Sequence, residues 1–555
     1  MMVLRMTTVL AAVLALAAGA SAKAPELVSA SWLGTGGDDL LEDVAIDVST
    51  DPPTILVAGM LAEPVEMLAG AKAVTLGKAH APSPYGCGFV ARLSHDGRKV
   101  LAVTQLAAGV GQITTVVVGG GGVYVGGYAT AGLEPVLPAG GFMPRYPADT
   151  PTAPFTPREH TERSNPQPDK SKVGVPFVLR LSADLSRVEA GTYLEGRHTI
   201  WHVPRPLDES KWQPTGIGIL ADGSVVVAHD GGPIVPPPAG QKPGAFNFYR
   251  CPDHLSRLSA DLKKRLWKID MYAVPVDPDR AAIALKEPWT FDSLGNTRTL
   301  RLRTGPGDAV YLAGWAASRT TKEPWWAPFL RRFDVDGKMT WEAYTFDPTS
   351  GRDARLNGLV SDAAIRSVAV DAQGQVLVAT IGDGGNSVLR QDPRDYTRPV
   401  EGLRGNVHSF RGRTLFWGTV ARLDATSRKF LGGDQIAGFG ERGLVAAWAE
   451  DVAPVLGKDG AGRSVAVGRH GAGFRFTDDA WRKSDAGAFV RVYERDYRLA
   501  FSTSLPDAEL VTVAAGPDGR CVAVGVARSD KCAVKDPAIA KHAGRRDGYV
   551  VVFDP

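Results

Sequence analysis

An all-β fold of seven similar four-stranded units is predicted by two strand patterns that alternate along the chain. The first pattern is an apolar strand, a tight turn with Gly or Asp, and a second strand that ends on a small residue. Its copies are residues 43–59, 112–127, 215–229, 298–314, 365–380, 444–469 and 509–525. A ring of such units is a seven-bladed β-propeller, in which each antiparallel blade packs against its neighbours.

The second pattern supplies the third and fourth strands of each blade. It starts on an aromatic or small residue, places Arg three positions later and turns over a short polar link. The copies place these arginines in one predicted register: Arg92, Arg180, Arg257, Arg332, Arg422 and Arg491. The last copy, residues 548–555, holds one strand only, and residues 26–35 read as its partner. The N-terminal strand is therefore expected to pair with the C-terminal strand and close the ring without long exposed edges.

This repeat resembles a known group of proteins. Its order of a strand, a D-x-x-G turn, V-Y-V-x-G and F-v-x-R/K-l is similar to bacterial secreted proteins built from the seven-bladed propeller repeat and from NHL-type repeats. The resemblance covers nearly the whole mature chain, but only at the level of the repeat. It implies the fold and no particular chemistry, because propellers include both binding proteins and enzymes.

The N-terminus predicts export. A basic residue, an apolar run over residues 9–17 and an A-x-A site at residues 20–22 form a signal peptide over residues 1–22, cleaved near Ala22. Residues 23–555 are then one propeller domain, secreted or periplasmic. The apolar run is shorter than the ~20 residues that span a bilayer, and no longer run follows, so a protein that does not span the membrane is expected. We also expect a monomer.

Charge and composition exclude some partners. The 63 basic and 60 acidic residues give a net charge of +3, which offers no electrostatic basis for nucleic-acid binding. Motifs for nucleotides and other cofactors lack their structural context, so no cofactor is expected. A quinone-binding propeller would repeat a tryptophan pattern that only Trp267 and Trp341 echo.

Strand phasing separates two faces of the ring. The turn face carries the links from first to second and from third to fourth strand, which are short except for residues 451–463 in blade 6. The loop face carries the remaining links, including the long insertions 61–86, 129–175, 230–253, 273–296 and 381–416. Insertions on one face of a repeat array usually mark its binding face.

Ionisable and aromatic side chains gather on the loop face. His229-Asp230 and Arg469-His470 follow second strands where most copies have small residues, and an enzyme would use His229, Asp230, His198 and Arg469. The candidates for ligand binding are His202, Trp315, Arg319, Trp325, Trp326, Tyr128 and His470. The alternative for these aromatic residues is packing between blades.

A metal site is not expected. His198 and His202 are four residues apart and His229 follows in the next blade, but this spacing aligns two ligands only on a helix. The segment that holds the first two histidines has no helical pattern.

Three functions remain open. The favoured one is a non-catalytic binding or scaffold module for a carbohydrate, peptide or protein. The alternatives are a secreted lyase or hydrolase with a His/Asp/Arg site at the channel mouth, and a structural protein of the cell envelope. Convergence of the candidate side chains on one point would favour the enzyme, and their dispersal would favour binding.

Four cysteines are candidates for disulfides in an oxidising compartment: Cys87, Cys251, Cys521 and Cys532. From their predicted positions, Cys87 is expected to pair with Cys532 or with Cys251.

Overall fold

Seven sheets follow one another around the ring, each with four antiparallel strands in blade order, which confirms the seven-bladed β-propeller. The computed structural model describes residues 25–35, 37–62, 72–77, 87–107, 110–129, 133–145, 173–195, 198–199, 215–229, 253–271, 297–317, 326–344, 363–382, 388–405, 416–440, 443–456, 462–539 and 542–555. Within each blade the strands are numbered first to fourth from the central channel outwards.

The strands of the blades have the following bounds. Blade 1 consists of Leu40–Asp47, Thr54–Leu61, Cys87–Leu93 and Val100–Leu106. Blade 2 consists of Gly111–Gly119, Gly122–Ala129, Val173–Leu181 and Val188–Tyr193. Blade 3 consists of Thr215–Ile219, Val225–His229, Asp253–Leu258 and Arg265–Met271. Blade 4 consists of Thr297–Gly305, Ala309–Ala317, Trp326–Phe333 and Met339–Ala343.

The remaining blades complete the ring. Blade 5 consists of Ala363–Val370, Val376–Gly382, Gly418–Leu423 and Phe430–Ile436. Blade 6 consists of Trp448–Leu456, Gly462–His470, Gly487–Tyr493 and Leu499–Leu505. Blade 7 consists of Ala508–Ala515, Cys521–Ala527, Asp547–Asp554 and, as its fourth strand, Glu26–Leu33.

Blade 7 closes the ring as predicted. Glu26–Leu33 pairs antiparallel with Asp547–Asp554, with Trp32 opposite Tyr549. On its outer side the same N-terminal strand exchanges two backbone hydrogen bonds between Ala30 and Lys535, of 2.8 and 3.1 Å. Both edges of the closing strand therefore have partners.

Short strands, hairpins and 3-10 turns lie outside the four-stranded blades. Lys72–Leu76 and Leu403–Arg404 add parallel strands outside the fourth strands of blades 1 and 5, so parts of two insertions lie along blade edges. His198–Thr199 pairs with the third strand of blade 2, and two small hairpins are formed by Gln391–Asp392 with Asp395–Pro399 and by Gly438–Gly440 with Gly443–Val445. The 3-10 turns are Glu134–Val136, Pro306–Asp308 and Val388–Arg390. None of the helices in the described ranges is long and apolar enough to cross a bilayer.

The prediction of a long first link in blade 6 was wrong. The first strand of this blade continues to Leu456 and the second begins at Gly462, so most of residues 451–463 is strand. Asp451 is a buried strand residue because an arginine from blade 4 pairs with it.

The arginine register holds in five blades and fails in blade 6. Arg92 lies just before the register shift between the third and fourth strands, opposite Ala102. Val492, not Arg491, occupies that position in blade 6, opposite Phe501. Phe489 faces Gly468 there as Phe89 faces Gly59 in blade 1, so the aromatic residue sets the register and Arg491 lies on the other side of its sheet.

Neighbouring blades are joined by apolar cores and by side chains that reach the next blade's outer turn. The indole Nε1 of Trp267 donates to the carbonyl of Val335 at 3.0 Å, and that of Trp341 donates to Ala425 at 2.8 Å. Arg92 likewise donates to the carbonyl of Ala183 at 2.7 Å. These bonds fix each blade against the following one while satisfying buried polar groups.

Candidate functional site

Polar residues of the innermost strands lie at one height in the central channel. The first strands of six blades each contain a β-bulge, and the residue after each bulge lies at the same height in the ring. These residues are Asp43, Thr115, Arg301, Ser367, Asp451 and Thr512. Blade 3 has no bulge within its described first strand, and Gly216 holds the equivalent position. We call these seven residues the axial ring.

Arg301 joins the axial ring across the channel. Its Nη2 lies 2.8 Å from Asp451 Oδ2 and 2.9 Å from Thr512 Oγ1, while its Nη1 lies 3.2 Å from Asp43 Oδ1. Asp451 also accepts a hydrogen bond from the Ser367 hydroxyl. Thr115 of blade 2 donates to Asp43 Oδ2 at 3.0 Å. Six of the seven blades, namely 1, 2, 4, 5, 6 and 7, are therefore linked through one guanidinium and two carboxylates.

The axial ring is buried, and its one guanidinium contacts both of its carboxylates. Arg301 is only 3% exposed, and both carboxylates are more deeply buried still. Burial by itself would raise the pKa of Asp451, but the charges of Arg301 and Arg303 and the hydroxyl donors outweigh it and hold that pKa below its usual value. Burial and then the charge of Arg301 lower the pKa of Arg303. The channel is thus closed at this level by an ionised network.

In four blades the bulge lies against a glycine of the second strand. A Cβ on Gly127 would lie 2.0 Å from the Gln112 carbonyl oxygen, and on Gly59 it would lie 1.9 Å from that of Leu40. Gly468 and Gly525 make the same approach to Trp448 and Glu509. In these four blades the bulge therefore requires glycine at this position of the second strand, whereas blade 5 accommodates Thr380 there.

Above the axial ring, toward the loop face, charged groups alternate around part of the channel mouth. Arg366 of blade 5 donates through Nε and Nη2 to Glu450 Oε2 of blade 6, at 2.9 and 2.8 Å. Glu450 Oε1 accepts the indole N–H of Trp448 at 2.8 Å. The guanidinium of Arg469 lies 5.7 Å from the centre of the Trp448 ring.

The alternation continues into blade 7. Arg469 Nη2 lies 2.6 Å from Glu509 Oε1, and Arg528 pairs with the same oxygen. In the first strand of blade 7, Glu509 holds the register that Trp448 holds in blade 6. We call Arg366, Glu450, Trp448, Arg469, Glu509 and Arg528 the mouth arc, which spans three adjacent blades.

Two predicted aromatic candidates are buried. Trp315 belongs to an apolar cluster at the channel mouth with Trp448, Leu300, Ala364 and Ile381. Tyr128 is fully enclosed in blade 2. Both side chains therefore pack inside the protein in this structure.

The predicted histidines lie in separate blades. His229 Nε2 is 3.2 Å from Ser256 Oγ, and its ring meets that of His254 edge-on at 5.3 Å, all within blade 3. His470 of blade 6 stacks on Phe474 at 4.9 Å. Burial lowers the pKa of His254 and of His470, so both rings favour the neutral form.

A hydroxyl chain leads to His470. Its Nδ1 lies 3.1 Å from the Gly471 carbonyl, which makes Nδ1 the donor and Nε2 the acceptor. Ser504 Oγ lies 2.8 Å from Nε2 and contacts the hydroxyl of Ser484 at 2.5 Å. Ser504 is fully buried, so the chain anchors the His470 ring.

Among the predicted residues, the structure brings Arg469 into the mouth arc. Trp315 is buried close to that arc, in the apolar cluster that contains Trp448. Asp230, His202, Arg319, Trp325 and Cys251 lie outside the described residues, and only the backbone of His198 and Trp326 is described. Within the described ranges, no three potential metal ligands cluster.

The cysteines that the structure describes carry free thiols. Cys87, Cys521 and Cys532 are all buried and unbonded, so the expected pairing of Cys87 with Cys532 is not formed. Cys532 Sγ instead donates to the Asp507 carbonyl at 3.0 Å. Burial raises the pKa of Cys532 to about 11.

The axial ring and most of the mouth arc escaped the sequence analysis. Asp43 and Thr512 look like ordinary polar residues at strand positions, and their partner Arg301 is distant in sequence. A signal was present: each polar residue stands after an apolar residue and a bulge, at one register of the repeat. Aligning the first strands by the register of the repeat would have placed these residues at one height.

Comparisons with known proteins add little beyond shape. No family model and no curated protein matches the chain. Among solved structures, it is similar to the Dos1 propeller, with 10% identity and a TM-score of 0.38 over 96% of this chain and 95% of that one. It is also similar to the quinohemoprotein alcohol dehydrogenase from Comamonas testosteroni, with 10% identity and a TM-score of 0.39 over 96% and 77%. Likenesses this distant leave the function to be argued from the site.

Proposed function

We propose that this protein is an exported propeller that binds a ligand without chemistry, through the loop-face mouth of its channel. The ligand is a carbohydrate, a peptide or a protein. The resemblance of its repeat to bacterial secreted propeller proteins and its N-terminal signal pattern support export. The mature protein is then a monomer of residues 23–555 outside the cytoplasm.

The observation that carries the binding function is the mouth arc above a closed channel. The axial ring blocks passage through the channel, so a ligand on the loop face meets a fixed floor. At the rim, the mouth arc presents the guanidinium of Arg528, which is 48% exposed and is held by its ion pair with Glu509. Such a group, held by its own ion pair, provides specific polar contacts at little cost in side-chain entropy.

An enzyme built on the predicted histidines receives less support. His229 is buried and bonded to Ser256 in blade 3, whereas Arg469 contacts Glu509 of blade 7. A general base must lie within reach of the proton that it takes from a substrate. The described contacts hold these two side chains in different parts of the ring.

Blocking one face at a time tests the binding function. In a Cys251→Ser background, Arg545→Cys places a thiol on the loop face and Val48→Cys places one on the turn face, where the native side chains are 84% and 62% exposed. Each variant is coupled to a maleimide polymer and applied to glycan and peptide arrays. Binding that is lost only with the loop-face polymer supports the proposal. Equal loss from both faces, or no array binding by the unmodified protein, would overturn it.

Export is tested separately. Expression of residues 1–555 in a bacterium, followed by mass spectrometry of the extracytoplasmic fraction, should recover a chain that begins near Lys23. Recovery of the full-length chain from the cytoplasm alone would reject export.

A further inference from the structure

We propose that the end of the mouth arc in blades 6 and 7 binds a carboxylate of the ligand, with Arg528 in direct contact and Arg469 and Arg546 as supporting charges. This inference rests on the binding function proposed above and names the chemistry that the loop face recognises.

The geometry leaves donors of Arg528 available. Arg528 immediately follows the second strand of blade 7, and its side chain is 48% exposed. Its ion pair is to Glu509 Oε1, which Arg469 also engages at 2.6 Å. A guanidinium carries five N–H donors, so one shared carboxylate oxygen cannot use them all. The exposed part of Arg528 can therefore receive a second carboxylate.

Further charged groups lie near Arg528. Arg546 lies just before the third strand of blade 7 and forms no ion pair with any described residue. The nearby carboxylates are Glu509, shared as above, and Asp507, which accepts a hydrogen bond from the Ser529 hydroxyl at 2.8 Å. The charges that act on Arg528 are therefore those of two further arginines, Arg469 and Arg546, against the Glu509 and Asp507 carboxylates.

The neighbouring positive charges also change the pKa of Arg528. Burial, and after it the charges of Arg469 and Arg546, lowers the pKa of this guanidinium. Like charges held close together repel one another, and an anion placed between them removes part of that repulsion. The planar fork of an arginine matches a carboxylate in two parallel hydrogen bonds, which favours this anion over a neutral hydroxyl.

Two probes with three carboxylates each test the inference by titration calorimetry at low salt: a galacturonate trimer and the peptide Glu-Glu-Glu. Their neutral counterparts are a galactose trimer and Gln-Gln-Gln. We expect at least one acidic probe to bind, with an affinity that falls as salt rises. Arg528→Gln should weaken that binding about tenfold or more, because a charge-assisted pair is lost.

Two further variants make the test specific. Glu509→Gln removes the internal competitor and should strengthen binding about threefold or more. Arg545→Gln removes an arginine of the same face that pairs with Asp38 at 2.7 Å and is 84% exposed, and it should leave binding unchanged. Near-ultraviolet circular dichroism checks that each variant is folded.

The outcomes separate this inference from the binding function itself. Binding of the saccharide alone or of the peptide alone supports the inference and identifies the source of the carboxylate. No binding of either acidic probe, or equal binding of the neutral ones, overturns it. A neutral array ligand blocked only from the loop face would then leave the binding function standing.

Discussion

Arg301 of blade 4 and Asp451 of blade 6 meet inside the channel at 2.8 Å, although 150 residues separate them in sequence. Their contact is buried and shared with Asp43 and Thr512. A buried pair of this kind contributes less to net stability than to the arrangement that it enforces, because desolvation offsets much of the attraction. Here the enforced arrangement is the mutual position of blades that are not neighbours.

Removing the Arg301 side chain should therefore destabilise the protein strongly. Arg301→Met leaves Asp43 and Asp451 buried without the guanidinium that pairs with them, and we expect the free energy of unfolding to fall by about 3–5 kcal/mol. Chemical denaturation measures the loss, with Arg545→Gln as the control on an exposed arginine. Adding Asp43→Asn and Asp451→Asn to Arg301→Met should restore part of the stability. A single variant as stable as the native protein would show that the axial ring is dispensable.

Acid should weaken the same network. The pKa of Asp451 is lower in the folded protein than its usual 3.8, so the ionised form is the one that folding favours. Its contribution is complete above pH 3.8 and is lost as the pH falls through the lower folded value. The acid branch of the stability curve should be less steep in Asp451→Asn than in the native protein. Parallel curves for the two proteins would contradict the assigned charge state.

His470 should also make stability fall on acidification, in a range of higher pH than Asp451 does. Burial lowers its pKa below the usual 6.5, so unfolded chains bind the proton more readily than folded ones. Stability should thus be complete above pH 6.5 and should decrease as the pH falls toward the folded pKa. Melting temperatures at pH 7.5 and 5.5 measure the change, which His470→Gln should reduce. An unchanged difference in that variant would assign the decline to other groups.

A single methyl group should disrupt a bulge. In Gly127→Ala the new Cβ would lie 2.0 Å from the Gln112 carbonyl oxygen, so the backbone must move, and we expect a loss of about 3 kcal/mol or more. Gly462→Ala is the matched control, because nothing lies within 4 Å of its Cβ position. Thermal unfolding compares the two. Similar melting temperatures would mean that the bulge relaxes at little cost.

The inter-blade tryptophan bonds should act independently. Trp341→Phe keeps most of the ring but removes the donor to Ala425, which should cost about 1 kcal/mol. Trp267→Phe should cost a similar amount through Val335. Because the two bonds join different blade pairs, the double variant should show the sum. A much larger combined loss would reveal coupling through blade 4, which contributes one residue to each bond.

The fold was predictable because each blade repeats local signals. Turn glycines, alternating apolar residues and the small residue at the end of the second strand are all written in short segments, and Gly127 illustrates how a bulge fixes one of them. Arg491 marks the limit of such reasoning. Spacing alone could not show that Phe489 sets the register in blade 6 and turns Arg491 to the other side of the sheet.

The site was less predictable because it depends on ring closure. Arg469 was a candidate, but its partner Glu509 becomes its neighbour only when blades 6 and 7 pack together. The signal for Arg301 was its place in the repeat register alone, since an arginine in a strand is most often exposed. Its burial depends on two carboxylates, Asp43 and Asp451, which two other blades place at the axis.

The pairing of Glu26–Leu33 with Asp547–Asp554 also sets the order of events during synthesis. The hydroxyl of Ser31 accepts a hydrogen bond from the backbone N–H of Ile539, 508 residues later. On the ribosome, the N-terminal strand emerges first but finds its partner only after the seventh blade has been translated. Six blades must therefore remain an open arc with an unpaired edge until the last strand arrives, which makes the final step of assembly the one most exposed to misassociation.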